Sequence, residues 1–174
     1  LPEIFSKLPS DISTIDTYIE PFLGGGSVLF GLLEKYEFEN VHVADINPEL
    51  ILTYEAIKHD FEGVYEQLKL KKNTYPDSKE QQKKIYYEAR EKWNKGVGTI
   101  PLKNRARVER AALTIFLNKT CFNGLFRVNK NGLFNVPCNY TKSPSFPTYT
   151  EMEEIHIAIQ NVNFSVNDFS YCGD

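Results

Sequence analysis

The segment Glu20-Pro21-Phe22-Leu23-Gly24-Gly25-Gly26-Ser27 sets three consecutive glycines between two apolar runs, Thr17-Tyr18-Ile19 and Ser27-Val28-Leu29-Phe30-Gly31-Leu32-Leu33. The first run predicts a buried strand and the second a helix capped by Ser27. A strand that turns into a helix through glycines carries no Cβ atoms at the turn. Its backbone can then lie close to a ligand, and the free amides of the helix start favour polar or anionic groups. Glycine clusters also build ordinary tight turns, so this segment alone leaves both readings open.

A carboxylate farther along the chain adds weight to the ligand reading. Val41-His42-Val43-Ala44-Asp45 predicts a second parallel strand ending in an acid. A strand, a glycine turn, a helix and a strand closed by a carboxylate about 20 residues past the glycines is the layout of a dinucleotide or adenosine site. Asp45 would accept both ribose hydroxyls. Asn47-Pro48-Glu49 opens a helix with proline in the first turn. Late in the chain, Val162-Asn163-Phe164-Ser165-Val166-Asn167-Asp168 predicts another strand ending in an acid, preceded by an amphipathic crossover helix over Thr150 to Gln160. Carboxylates at the carboxyl ends of parallel strands converge on one crevice, so Asp45 and Asp168 are expected to serve one ligand.

The middle of the chain has a different character. Lys71 to Glu80, polar and containing Pro76, predicts a linker; helices are expected over Gln81 to Asn94 and Asn104 to Leu117, separated by Gly96-Val97-Gly98-Thr99-Ile100-Pro101. From Lys103 to Lys142 eight basic residues face one acid, Glu109, a local charge of +7 inside a protein of net charge −3. Such one-sidedness is the footprint of a polyanion-binding insertion, although a solvated helix face is the bland alternative. At 174 residues and 41% hydrophobic composition the chain can bury a core as one domain with a modest insertion. No apolar run approaches the ~20 residues of a membrane helix, and no signal-like start is seen. Cys121, Cys138 and Cys172 are too few and too far apart for a disulfide framework or a zinc site, which suits a reducing cytoplasm.

A second concentrated signal is Phe122-Asn123-Gly124-Leu125-Phe126-Arg127-Val128-Asn129-Lys130-Asn131-Gly132-Leu133-Phe134-Asn135-Val136-Pro137. Two short strands around Asn-Lys-Asn-Gly predict a hairpin. A two-stranded ribbon fits the major groove, and an arginine such as Arg127 can pair with guanine through two hydrogen bonds. Phe122 and Leu125 are apolar groups of the kind that wedge into a base stack. Phe126 and Phe134 read better as core.

These segments together carry a resemblance. Glu20-Pro21-Phe22-Leu23-Gly24-Gly25-Gly26-Ser27-Val28-Leu29-Phe30, then Ala44-Asp45-Ile46-Asn47-Pro48-Glu49-Leu50-Ile51, then Thr120-Cys121-Phe122-Asn123-Gly124-Leu125-Phe126-Arg127-Val128-Asn129 with Phe134-Asn135-Val136-Pro137 resemble, in order, motifs of the Dam-type (D12 class) DNA adenine methyltransferases. The resemblance runs over essentially the whole chain, and the hairpin motif is its most specific part. It implies a Rossmann-like α/β methyltransferase core, residues 1–58 and 148–174, with an inserted helical and β-hairpin DNA-recognition domain over 59–147. The cofactor implied is S-adenosylmethionine, leaving as S-adenosylhomocysteine, with no metal. Glu20, Pro21, Phe22, Gly24, Gly25 and Gly26 would line its methionine side. Asp45, with Ile46 and Asn47 beside it, would hold the ribose and adenine, and Asp168 with Phe169 the adenine edge. Toward DNA, Arg127 resembles the guanine reader, Leu125 and Pro137 contacts to the target bases, and Phe122 the intercalating aromatic. Lys119 and Asn123 would meet the backbone, and Asn129 and Asn135 complete the DNA-facing set. The implied target is adenine in duplex DNA, with GATC as the site resting on Arg127. A cytoplasmic monomer of bacterial, archaeal or phage origin is expected, with a restriction endonuclease acting on the same site as a partner.

Two family segments have no counterpart in the sequence. The Asp-Pro-Pro-Tyr catalytic motif is absent, and Tyr171-Cys172-Gly173-Asp174 lacks its prolines, so no catalytic residue is assigned; nor is there a Lys-Trp-x-Gly-Gly-Lys-like segment before Leu1. The chain is therefore expected to belong to a longer parent protein and to be inactive alone. The runner-up is a non-catalytic DNA-binding or cofactor-binding module. A nicotinamide oxidoreductase is disfavoured because the glycines do not follow G-x-G-x-x-G.

Overall fold

The computed structural model describes residues 2–99 and 103–170; Tyr171 to Asp174 and the Ile100-Pro101 end of the expected helix break lie outside the described residues. A three-stranded parallel sheet, ordered β1-β2-β3, joins Thr17–Glu20 (β1), Asn40–Asp45 (β2) and Val162–Val166 (β3). Tyr18 pairs with Val41 and Val43 with Phe164, so all three strands end on the same side. Val41, Val43 and Ala44 are buried, as expected of a central parallel strand covered on both faces. Strand β1 is not the buried strand expected: it is the end strand of the described sheet, Ile19 is 48% exposed, and only Glu20 of its four residues is buried. The short helix α1 (Pro2–Phe5) lays Phe5 against Gly31 of α2 (Ser27–Leu33).

Three helices carry most of the rest of the core, α3 (Pro48–Asn73), α4 (Lys79–Lys95) and α5 (Asn104–Thr120), joined by Leu29 of α2, Met152 of α6 (Tyr149–Ala158) and loop residues such as Phe134 and Phe146; α6 leads into β3. α3 and α5 form the most extensive packing between described elements. Asp60 interrupts α3 at φ −158° and ψ 61°, accepts the Gly63 amide at 2.9 Å and takes a hydrogen bond from Asn104. It acts as an internal N-cap that lets the second half of the helix change direction. Among the described residues no helix is long and apolar enough to cross a membrane.

Several boundaries differ from the sequence expectation. Gly26, in the left-handed region at φ 71°, caps α2 in place of Ser27, which is its first helical residue. Helix α3 runs on to Asn73 and α4 begins at Lys79, leaving only residues 74–78 as the linker. Strand β3 stops at Val166, so Asp168 lies beyond it. The hairpin has no ladder. It is held by isolated antiparallel bridges, Cys121 with Cys138 and Val128 with Phe134, around a turn closed by Gly132 N–H to the Asn129 carbonyl at 2.9 Å.

Candidate functional site

The glycine turn leaves the end of β1 and is tied to the end of β2 in two ways. The Leu23 amide donates to the Ala44 carbonyl at 2.9 Å, and the Gly24 amide donates to Asp45 Oδ2 at 2.9 Å. The other oxygen, Oδ1, accepts the Asn47 amide at 2.9 Å, while Asn47 Oδ1 caps α3 through the Glu49 amide. Asp45 therefore fixes the turn and the start of α3 while each oxygen keeps a further lone pair. Gly24 and Gly26 both have positive φ. A Cβ at Gly24 or Gly25 would meet nothing within 4 Å, whereas one at Gly26 would stand 2.7 Å from Phe30 and 2.8 Å from the Tyr54 hydroxyl. Two glycines thus face open space and the third is required by packing.

The open space is a cleft of about 470 Å³ lined by Gly24, Gly25, Asp45 and Asn47 on one side and Asn118, Lys119, Gly124 and Phe126 on the other. This volume suits a small organic ligand. A larger cavity of about 700 Å³ lies between α2 and α6, but its charged lining is Glu34, Glu151 and Glu154 against Lys119, which borders both cavities, and no residue at a strand end lines it. Behind the turn, Glu20 is buried and accepts the Tyr18 hydroxyl at 2.8 Å. Burial raises the Glu20 carboxyl above its ordinary value, opposed by the hydrogen bonds from Tyr18 and the Leu29 amide. Burial, with Glu20 and Asp45 nearby, pushes the Tyr54 hydroxyl up to about 12.

A second feature stands at the carboxyl ends of the strands. Phe22, Ile46 and Phe169 are 70%, 74% and 63% exposed, an apolar shelf that burial alone would not leave in water. Phe169 stacks on Phe22 with ring centroids 6.0 Å apart, so the segment after β3 reaches back across β2 to the end of β1. Asp168 is exposed and accepts both the amide and the hydroxyl of Ser170, which hold its carboxyl below the usual range. Glu20, Pro21, Phe22, Gly26, Ile46, Asp168 and Phe169 lie outside the lining of the 470 Å³ cleft.

In the loop from Cys121 to Cys138, Phe122 and Leu125 are about half exposed, and Asn123 sits in the left-handed region at φ 55°. Arg127 is exposed and its Nε donates to Asn135 Oδ1 at 2.8 Å, so Asn135 orients it. The Asn129 side chain accepts the Asn131 and Leu133 amides and builds the turn. The Pro137 carbonyl accepts the Phe122 amide at 2.9 Å, closing the loop's base. Phe134 is core, as expected, but Phe126 is not: it is 39% exposed and lines the cleft, packing edge-on against Trp93 and Phe134.

Comparison with known proteins decides the family: residues 1–172 match the model of the D12 class N6 adenine-specific DNA methyltransferases. The chain belongs to that family. It is 40% identical over 172 residues to the type II methyltransferase M.MjaIII of Methanocaldococcus jannaschii, covering 97% of this chain and 58% of that protein. It is 34% identical over 151 residues to the type II methyltransferase M.CviBI of a Paramecium bursaria Chlorella virus, covering 86% of this chain and 49% of that one. The DNA adenine methylase of Escherichia coli is 33% identical over 157 residues, with 88% of this chain and 47% of the relative covered. The chain spans about half the length of the curated relatives it matches.

In this member of the family several residues that hold the site are not evident from the sequence. Tyr86, Arg90 and Asn94 stand four apart on one face of α4, and all three bind main chain of the loop. Tyr86 and Arg90 donate to the Val136 carbonyl, and Asn94 exchanges two hydrogen bonds with Phe134. The spacing is legible, but nothing local names the partner. Arg110 is a correction. Counted with the basic segment, it is in fact 6% exposed, paired with Glu49 in two hydrogen bonds of 2.7 and 2.6 Å, and so does not add to the surface charge.

Proposed function

We propose that this chain is the S-adenosylmethionine-binding and DNA-recognising part of an enzyme that methylates the exocyclic amino group of adenine in duplex DNA. The observation that carries the reading is the shared cleft, in which the glycine turn and Asp45 face Asn118, Lys119, Gly124 and Phe126 at the root of the loop bearing Arg127. The open Cβ directions of Gly24 and Gly25 fit a ligand lying against backbone. Asp45 has acceptor capacity left for ribose hydroxyls, and Phe22, Ile46 and Phe169 offer an apolar shelf for an adenine ring. When bound, S-adenosylmethionine supplies an electrophilic methyl group.

The chain's own residues bind and orient. The exposed Arg127, steadied by Asn135, reads a guanine; Phe122 and Leu125 wedge beside the displaced base; Lys119 and Asn123 meet phosphate; Pro137 closes the loop base. Asn129 serves by shaping the turn. The recognition part is read as 59–147, and the change of backbone direction at Asp60 in α3 supports a division near its start. GATC is the first site to test, and a restriction endonuclease acting on the same site belongs to this reading.

The test is tritiated-methyl transfer from S-adenosylmethionine to unmethylated DNA by the protein that carries this chain. Incorporation into adenine is expected. Binding of S-adenosylhomocysteine without any transfer would leave a non-catalytic module, and binding of NADH in its place would overturn the cofactor assignment.

A further inference from the structure

The two walls of the cleft belong to different helices. Leu50 and Thr53 come from α3, Thr114, Ile115 and Asn118 from α5. One turn behind Thr53 and Thr114, on the same helix faces, stand Glu49 and Arg110. Arg110 Nε donates to Glu49 Oε2 at 2.7 Å and Nη2 to Oε1 at 2.6 Å, with both side chains largely buried at 7% and 15% exposure. The Arg110 Nη1 donates to the Trp93 carbonyl, and the guanidinium lies 4.2 Å from the centre of the indole ring. Trp93 in turn donates from Nε1 to the Thr114 hydroxyl at 2.9 Å and packs against Phe126 and Phe134. Gly96 leaves the room: a Cβ there would stand 2.6 Å from Arg110 Nη1.

A buried ion pair is weak evidence of stability, because well-packed apolar residues of similar volume often hold two helices as firmly. What a guanidinium adds is direction, since its donors form a rigid planar fork. Here the fork is shared between Glu49, which comes just after Asn47 and Asp45 in the chain, and Trp93, on which the recognition loop rests. We propose that Arg110 is a positioning residue that sets the recognition loop against the cofactor-side loop, so that DNA held by one tightens cofactor binding at the other. This rests on the proposed function.

The affinity of S-adenosylhomocysteine is measured by calorimetry, with and without saturating unmethylated duplex DNA, on the protein that carries this chain. DNA is expected to tighten binding by about fivefold or more, the range of ordinary site-to-site coupling. Three variants should reduce that factor below about twofold. Arg110→Lys keeps the charge but loses the fork. Gly96→Ala keeps every side chain of the network but displaces the guanidinium. The double variant Glu49→Leu with Arg110→Met replaces the pair by apolar groups and is expected to keep its thermal midpoint. Unchanged coupling in whichever of these folds overturns the proposal, as does a parent protein that binds S-adenosylhomocysteine with no effect of DNA. A parent that does not bind S-adenosylhomocysteine at all sinks the functional reading itself.

Discussion

Alanine substitution through Gly24, Gly25 and Gly26 separates a glycine kept for packing from one kept for a ligand. At Gly26 the left-handed φ of 71° would cost an alanine about 1–2 kcal/mol. Its Cβ would also stand 2.7 Å from Phe30 Cε2 and 2.8 Å from the Tyr54 hydroxyl, overpacking worth about 1–3 kcal/mol. Against this the unfolded chain loses freedom, which returns about 0.4–1 kcal/mol. Gly26→Ala should therefore destabilise by about 1–5 kcal/mol, measured as a shifted urea midpoint at constant m value. Gly25 has neither a positive φ nor a neighbour within 4 Å, so Gly25→Ala should leave stability unchanged or raise it by up to about 1 kcal/mol. Gly25→Ala should nonetheless weaken S-adenosylhomocysteine binding at least tenfold, about 1.4 kcal/mol, because its methyl group would occupy the cleft. Gly24→Ala, strained but uncrowded, should fall between on stability and match Gly25→Ala on affinity. Equal affinity in wild type and Gly25→Ala would refute the cradle, and a fully stable Gly26→Ala would refute the packing argument.

Two further outcomes depend on single side chains. Because burial raises the Glu20 carboxyl above its unfolded value of 4.5, the folded state holds its proton longer, so this group's contribution is largest below pH 4.5 and is lost as pH rises through the folded value. Glu20→Gln should remove that downward slope in urea-derived stability just above pH 4.5, whatever its effect at neutral pH; an unaltered slope would count against the assignment. Arg127→Ala should lower discrimination at one guanine by about 1–3 kcal/mol while S-adenosylhomocysteine affinity holds; an equal loss of affinity for every DNA sequence would make Arg127 a phosphate contact.

Elements set by local chemistry are legible in the sequence. Strands β1 and β2 are apolar runs closed by glycine or an acid, and Pro48 with the Asn47 cap marks the start of α3. The capping box of Thr148 with Glu151 is readable in the same way and places α6 one residue earlier than the apolar pattern suggests. The loop from Cys121 to Cys138 reads as a two-stranded hairpin because Asn131-Gly132 favours one. Its cross-strand pairing gives way because Phe134 and Val136 sink into the core and α4 takes their carbonyls. Arg110 is misplaced by a charge count for a related reason: such a count assumes exposure, and the partner that buries this residue, Glu49, lies 61 positions away.

Asp45 shows how far a motif carries an argument. Its spacing from the glycines marks it as a ribose acceptor, yet each of its oxygens already accepts a backbone amide, from Gly24 and from Asn47. The carboxylate would be needed here even without a ligand, because it joins the glycine turn to the start of α3. An amide in its place presents N–H to one of those amides, leaving a donor unpaired at about 1–3 kcal/mol, so weaker cofactor binding by Asp45→Asn would not show that Asp45 touches ribose. Gly25 escapes this ambiguity, since a Cβ there meets no atom within 4 Å and the residue lines the cleft, so a stable Gly25→Ala that binds cofactor more weakly points to the cleft. For this site the more telling residue is the one whose removal the fold does not notice.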